Sequence, residues 1–167
     1  MPAIHATCPV PLRRIVSDVL PVLLAIVLSA CHSTEGSFSS QITGYNHTDK
    51  TIGTFSVNGI WGGSVWPHSN GGDACCLQLP LPWPSDLKVK IDWEDEQGQH
   101  SREIAVPRYD PNSLGIFNVH FLRSGEIKVF AINAGLGNPD YPLKGEEANL
   151  KPGVPNFQYP RASSTAN

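Results

Sequence analysis

The sequence predicts an all-β fold, a single antiparallel β-sandwich domain of about seven strands that is immunoglobulin-like in outline. Residues 87–93 alternate strictly between apolar and charged side chains, which is the pattern of a half-buried strand. Other short apolar segments are separated by Gly, Pro, Asn and Asp, which favour turns. No segment after residue 41 has the periodicity of an amphipathic helix. Two packed sheets are therefore expected.

The first 30 residues have the order of charge, apolar run and small residues that is typical of an export signal. Arg13 and Arg14 precede the apolar run 19–27, which is shorter than the roughly 20 residues that a spanning helix needs. Residues 28–31 (LSAC) resemble the lipobox of bacterial lipoproteins. We therefore expect a lipoprotein signal peptide over residues 1–30, and diacylglycerol and N-acyl chains on Cys31. The alternative is an ordinary secretory signal with an incidental cysteine.

The charge and the residue after Cys31 bear on location. The chain has a net charge of −3, which argues against nucleic acid because nucleic-acid binding needs basic patches. His32 follows Cys31, in place of the Asp that retains many lipoproteins at the inner membrane. The protein is therefore expected on the periplasmic face of the outer membrane, held by its lipid anchor, rather than at the inner membrane.

The expected mature chain divides into three parts. Residues 31–41 are small and polar after the cysteine and predict a flexible tether. Residues 42–134 carry the strand patterns and are assigned to the sandwich domain. Residues 135–167 are rich in Gly and Pro and predict a C-terminal extension that wraps the domain.

Hairpins account for most of the predicted strands. The clearest turn is Asn58-Gly59, since both residues tolerate positive φ. The acidic stretch 94–98 and the residues 123–125 are the other predicted turns. The predicted strands are residues 52–57, 60–66, 75–79, 87–93, 102–106, 115–122 and 126–133.

The adjacent cysteines Cys75 and Cys76 leave three interpretations open. A strand directs their side chains to opposite faces, where both would act as small apolar residues. An oxidising periplasm favours a vicinal disulfide, although neighbouring cysteines bond only through a strained backbone. A metal site with His68 or His120 is the third interpretation, and no Cys-x-x-Cys or His-x-His spacing supports it. No metal or other cofactor is therefore expected.

Catalytic motifs are missing from the sequence. It contains no nucleophile elbow, phosphate-binding loop, dinucleotide fingerprint or zincin helix. His120 lies between Val119 and Phe121 and is interpreted as a surface histidine of a strand. His47, His68 and His100 fall at turns or strand ends. We therefore expect a protein that is not an enzyme and takes no small-molecule substrate.

Two loops, residues 61–73 and 94–99, are the candidate contacts with a partner. Each places polar or Gly-rich residues beside aromatic ones, and exposed aromatics anchor interfaces. For the tryptophans, packing in the core is favoured over a role in binding. For the acidic residues, a solvated turn is favoured over a contact with a partner. The predicted partner-binding residues are Trp61, Trp66, His68, Glu94, Asp95 and Glu96.

Several short phrases occur together along the domain. They are GYNHT at residues 44–48, FSVNG at 55–59, GG at 71–72 ahead of Cys75-Cys76, VPRYD at 106–110 and VHFLRSG at 119–125. Their order and spacing resemble the bacterial lipoprotein family known as domain of unknown function 3304, over roughly residues 42–142. The cysteine pair matches the family pattern, which implies a structural role for it.

The resemblance implies a short lipoprotein of a Gram-negative bacterium. Some family members are encoded beside phospholipase effectors of type VI secretion and are regarded as their immunity proteins, and no catalytic residues carry over. The expected function is to bind and neutralise a cognate lipase effector at the membrane. The alternative is a non-catalytic accessory lipoprotein of the envelope or the secretion apparatus.

Overall fold

A computed structural model describes residues 36–153 of the chain. The predicted signal peptide, Cys31 and residues 154–167 of the predicted extension lie outside the described residues. Among residues 36–153, no helix has the length and apolar character needed to cross a membrane.

The described residues form eight strands in two four-stranded sheets that pack into an all-β sandwich, which confirms the predicted fold class. The first sheet has the order β4-β1-β7-β8 and the second has the order β3-β2-β5-β6. All neighbouring strands are antiparallel except β1 and β7, which are parallel. The strands are β1 (Gly36–Asn46), β2 (Ile52–Val57), β3 (Ile60–Val65), β4 (Ser69–Leu81), β5 (Lys88–Asp95), β6 (Gly98–Ala105), β7 (Ile116–Phe121) and β8 (Ile127–Ile132), with 3-10 helices at Pro111–Ser113 and Gly145–Ala148.

Strand β1 corrects the predicted tether. Residues 36–41 are not a flexible segment but the first half of β1, which pairs with β4 from Gly36 opposite Leu81 onward. Ser40 is buried, and its hydroxyl donates a hydrogen bond to the carbonyl oxygen of Gly115 at 2.8 Å. Strand pairing uses backbone groups, so small polar residues can form a strand without an apolar pattern.

The hairpin turns follow the local signals with shifted boundaries. Asn58 and Gly59 have φ of 50° and 80°, as the tight turn between β2 and β3 requires. Strand β5 continues through Glu94 to Asp95, and β6 begins at Gly98, so the acidic turn is shorter than predicted. Strand β4 is likewise longer than residues 75–79.

The core lies between the sheets around the buried ring of Phe55. On one side of the sandwich, the backbones of β3 and β4 approach each other closely. A Cβ atom on Gly62 would overlap the ring of Phe55, and one on Gly72 would overlap the carbonyl oxygen of Gly62. The glycines therefore allow β3 and β4 to approach each other on this side. On the other side, the edge strands of the two sheets are β6 and β8.

The described part of the C-terminal extension packs on the first sheet. Tyr141 and Leu143 are buried and form a second apolar cluster with Leu122. The segment consists of turns and the 3-10 helix Gly145–Ala148 rather than extended chain. The packed structure thus continues past residue 134, the predicted end of the sandwich domain.

Candidate functional site

A row of hydrogen bonds joins His47, His120 and Tyr141 inside the molecule; we call it the histidine–tyrosine chain. His47 Nε2 lies 3.0 Å from His120 Nδ1, and His120 Nε2 lies 2.5 Å from the Tyr141 hydroxyl. All three side chains are 0% exposed. The prediction of His120 as a surface histidine is therefore wrong. The face of β7 that carries it is covered by the C-terminal segment, which alternation within β7 cannot reveal.

The acceptors around His47 determine where the protons of the chain lie. Its Nδ1 atom faces the Glu147 carboxylate at 3.1 Å and the Asn149 carbonyl at 3.3 Å, so Nδ1 carries the proton. A neutral ring has one N–H, and His47 Nε2 therefore accepts from His120 Nδ1. By the same argument, His120 Nε2 accepts a hydrogen bond from the Tyr141 hydroxyl. The hydrogen bonds therefore all run in one direction, from Tyr141 to His120, from His120 to His47, and from His47 to the Glu147 carboxylate and the Asn149 carbonyl.

Burial keeps the chain uncharged at neutral pH. It lowers the pKa of His47 from 6.5 to about 4, with a smaller contribution from the positive charge of Arg123. It also places the pKa of His120 well below 6.5 and raises the pKa of Tyr141. The ring of Tyr45 stacks on His120, with centroids 4.6 Å apart.

Arg123 holds the segment that covers the chain. Its guanidinium donates to the carbonyl oxygens of Glu146 at 3.1 Å, Asn149 at 2.9 Å and Leu150 at 2.5 Å. It also pairs with the Glu147 carboxylate at 3.0 Å, which is the group that accepts from His47. One planar cation thereby fixes a turn-rich segment to the β7–β8 turn.

His68 joins the same segment to the loop between β1 and β2. Its Nδ1 lies 3.0 Å from the Leu150 carbonyl oxygen, and its Nε2 lies 2.7 Å from the Asp49 carboxylate. Both neighbours are hydrogen-bond acceptors that face a ring nitrogen. His68, a predicted partner-binding residue, is thus engaged within the molecule.

A cleft of about 530 Å³ opens between β6 and the β7–β8 turn; we call it the inter-sheet cleft. Arg102 donates to the Gly125 carbonyl oxygen across it, at 3.1 Å. On its floor, His100 stacks on Trp93 at 4.9 Å and bonds to Asp95 at 2.8 Å. Within residues 36–153, no three His, Cys, Asp or Glu side chains are grouped as metal ligands. Charged residues of both signs line the cleft, among them Asp49, Lys50, Asp95, Arg102, Arg123 and Glu126.

Trp61 and Trp66 lie on the surface. Their side chains are 68% and 69% exposed, so the favoured interpretation of core packing is wrong for both. Trp61 belongs to β3, next to the edge that the glycines close, and Trp66 directly follows this strand. The Trp61 indole donates to the Thr54 hydroxyl at 2.9 Å, which orients its ring. Trp93 packs against the core, as alternation predicted.

The six predicted partner-binding residues separate into groups. Glu94 pairs with Thr54 across β5 and β2, so Trp61 and Glu94 meet on the outer face of the second sheet. Asp95 points to the other face and lines the inter-sheet cleft with His68. Glu96 and Trp66 are exposed at two separate turns.

The outer face of the second sheet carries a shallow concavity of about 480 Å³, the Trp61 basin. Its polar lining residues are Thr54, Ser56, Asp92, Glu94, Gln99, His100 and Ser101. Hydrogen bonds from Lys90 and Ser101 hold the pKa of Asp92 below its usual value. Alternation along β5 would have placed Asp92 and Glu94 together. Their meeting with Trp61 depends on the pairing of three strands.

Cys75 and Cys76 lie in β4, with Cys75 exposed and Cys76 half-buried. The two cysteines form a disulfide with each other, and the peptide bond between them is cis. Cys75 also borders a second surface concavity beside Trp61, next to the close approach of β3 and β4.

One family model matches the chain. It carries the description "Protein of unknown function (DUF3304)" and covers residues 45–129, just over half of the 167 residues. The match runs from the end of β1 into β8 and includes both exposed tryptophans, the cysteine pair and two members of the histidine–tyrosine chain. No curated protein and no solved structure matches the sequence. The chain belongs to the DUF3304 family of proteins of unknown function.

Proposed function

We propose that the protein is a lipid-anchored periplasmic lipoprotein that binds and neutralises a phospholipase effector, as an immunity protein of type VI secretion does. The observation that carries this proposal is the pair of exposed tryptophans, Trp61 and Trp66. Tryptophan is among the residues most enriched at the energetic centres of interfaces.

The surroundings of Trp61 support a binding role because they hold the side chain in place. The strand that carries Trp61 follows a two-residue turn. The indole of Trp61 donates a hydrogen bond to the hydroxyl of Thr54. Gly62, the next residue, packs directly on the ring of Phe55. A surface that is ordered before binding loses less conformational entropy when the partner arrives.

The proposed anchor supports the same function. A lipase that reaches the periplasm attacks membrane phospholipid, and an inhibitor tethered to that membrane meets it at a raised effective concentration. A disulfide between Cys75 and Cys76 is compatible with an oxidising compartment. The outer membrane is the proposed location.

Capture of the partner tests the proposal. The chain with Cys31→Ser, tagged at its C-terminus, is used as bait in the producing strain with secretion active. We expect a stoichiometric hydrolase whose phospholipase activity falls when the protein is added. Recovery of envelope or secretion-apparatus components without a hydrolase would contradict the proposal and favour the accessory role.

Variants locate the contact. Replacing Trp61 and Trp66 together with Ala should weaken hydrolase binding at least tenfold. Ile116→Ala is the matched control, because Ile116 is the other large apolar side chain that is exposed among the described residues, at 40%, and it lies on the first sheet. An equal loss in the tryptophan and Ile116 variants would remove the tryptophans from the interface.

A further inference from the structure

The Trp61 basin combines an aromatic wall with uncompensated negative charge. Asp92, Glu94 and His100 are its titratable lining residues, and no lysine or arginine of residues 36–153 lines it. Lys90 neutralises Asp92 from the rim, at 2.9 Å. Glu94 makes no ion pair within residues 36–153, so the basin keeps one free carboxylate.

Thr54 links Trp61, an aromatic residue of the basin, to Glu94. The hydroxyl of Thr54 accepts from the Trp61 indole at 2.9 Å, and Thr54 is the cross-strand partner of Glu94. Directly opposed residues of antiparallel strands have their Cβ atoms about 4.5–5.5 Å apart. Trp61 and Glu94 therefore flank the same threonine on the outer face of the second sheet.

We infer that the Trp61 basin binds an arginine side chain of the partner protein. A guanidinium stacks on tryptophan through a cation–π contact and donates a fork of N–H groups that matches a carboxylate. The oxygen atoms of Gln99 and Ser101 supply further acceptors in the lining. This inference rests on the proposed function, and it adds that the contacting surface of the effector is basic.

A peptide titration tests the inference without the effector. The probe is a capped Gly-Gly-Arg-Gly-Gly peptide, and its control is the same peptide with citrulline, which has the shape of arginine but no charge. The ¹⁵N-labelled full chain with Cys31→Ser is titrated, and Trp61→Phe identifies the indole signal of Trp61. We expect the arginine peptide to shift this signal and to bind at least fivefold more tightly than the citrulline peptide.

Two charge-neutralising variants locate the contact. Glu94→Gln should weaken arginine binding at least threefold. Glu103→Gln should leave it unchanged, because Glu103 lies on the same outer face but outside the basin and is 73% exposed in its side chain. Equal effects of the two variants, equal binding of both peptides, or shifts confined to the inter-sheet cleft would overturn the inference.

A further probe separates protein from lipid. Tetramethylammonium imitates the quaternary ammonium of a lipid headgroup, and binding tighter than that of the arginine peptide would overturn the assignment to a protein side chain. Failure of the arginine peptide, with loss of effector binding in the tryptophan variants, would overturn this inference alone. Arginine binding without any inhibited hydrolase would instead contradict the proposed function.

Discussion

Tyr141→Phe removes one hydroxyl group from the histidine–tyrosine chain and leaves the aromatic ring in place. In the native protein this hydroxyl donates to His120 Nε2 at 2.5 Å. His120 cannot compensate by moving its proton to Nε2. Its Nδ1 would then need a proton from His47, whose own Nδ1 would face the Glu147 carboxylate and the Asn149 carbonyl with a lone pair.

The magnitude follows from burial. His120 is 0% exposed, so water does not reach its Nε2 atom through the native packing. Leaving one buried acceptor without a donor costs about 1–3 kcal/mol. We therefore expect Tyr141→Phe to lower the free energy of unfolding by about 2 kcal/mol. With a urea m-value of about 2 kcal/mol/M, the midpoint should fall by about 1 M.

Urea unfolding at pH 7.5, followed by circular dichroism, measures this effect. Tyr45→Phe is the matched control, because the ring of Tyr45 also contacts His120 but its hydroxyl makes no hydrogen bond within the described part of the chain. This control should stay within about 0.5 kcal/mol of the parent protein, as changes outside such contacts do.

Two results would refute the reasoning. The first is an equal midpoint for Tyr141→Phe and Tyr45→Phe, which would mean that the Tyr141 hydroxyl does not satisfy a buried acceptor. The second is a ¹⁵N spectrum in which the proton of His47 or His120 resides on Nε2. Both histidines should carry it on Nδ1, as the acceptors around His47 require.

The remaining predictions concern pH and packing. Because the pKa of His47 is about 4 when folded, and that of His120 is also lowered, the unfolded chain binds more protons once the pH falls below 6.5. The free energy of unfolding should therefore decrease from pH 7 to 5.5, by at most about 1.4 kcal/mol per pH unit for each histidine. A constant urea midpoint over this range would contradict this prediction. Gly62→Ala forces a methyl group into the ring of Phe55 and should cost about 1–3 kcal/mol. The control Gly53→Ala has its nearest atom at 3.6 Å and should unfold like the parent protein in the same titration; equal midpoints for the two variants would argue against the close approach.

Features that depend on residues near each other in sequence could be predicted. The Asn58-Gly59 hairpin follows from the tolerance of two residues for positive φ, and strand β5 from strict alternation. The resemblance to the DUF3304 family likewise came from short phrases and is confirmed by the family match. The sequence therefore determined the fold class and the family.

Features that depend on distant segments could be read only from the tertiary structure. The first half of β1 is a strand because β4 pairs with its backbone, which its small polar side chains do not signal. His120 is buried because Tyr141 and its neighbours cover β7, and Trp61 is exposed because no segment within residues 36–153 covers the outer face of β3. Alternation states which residues of a strand share a face, and only the packing of the remaining chain decides whether that face meets water or protein.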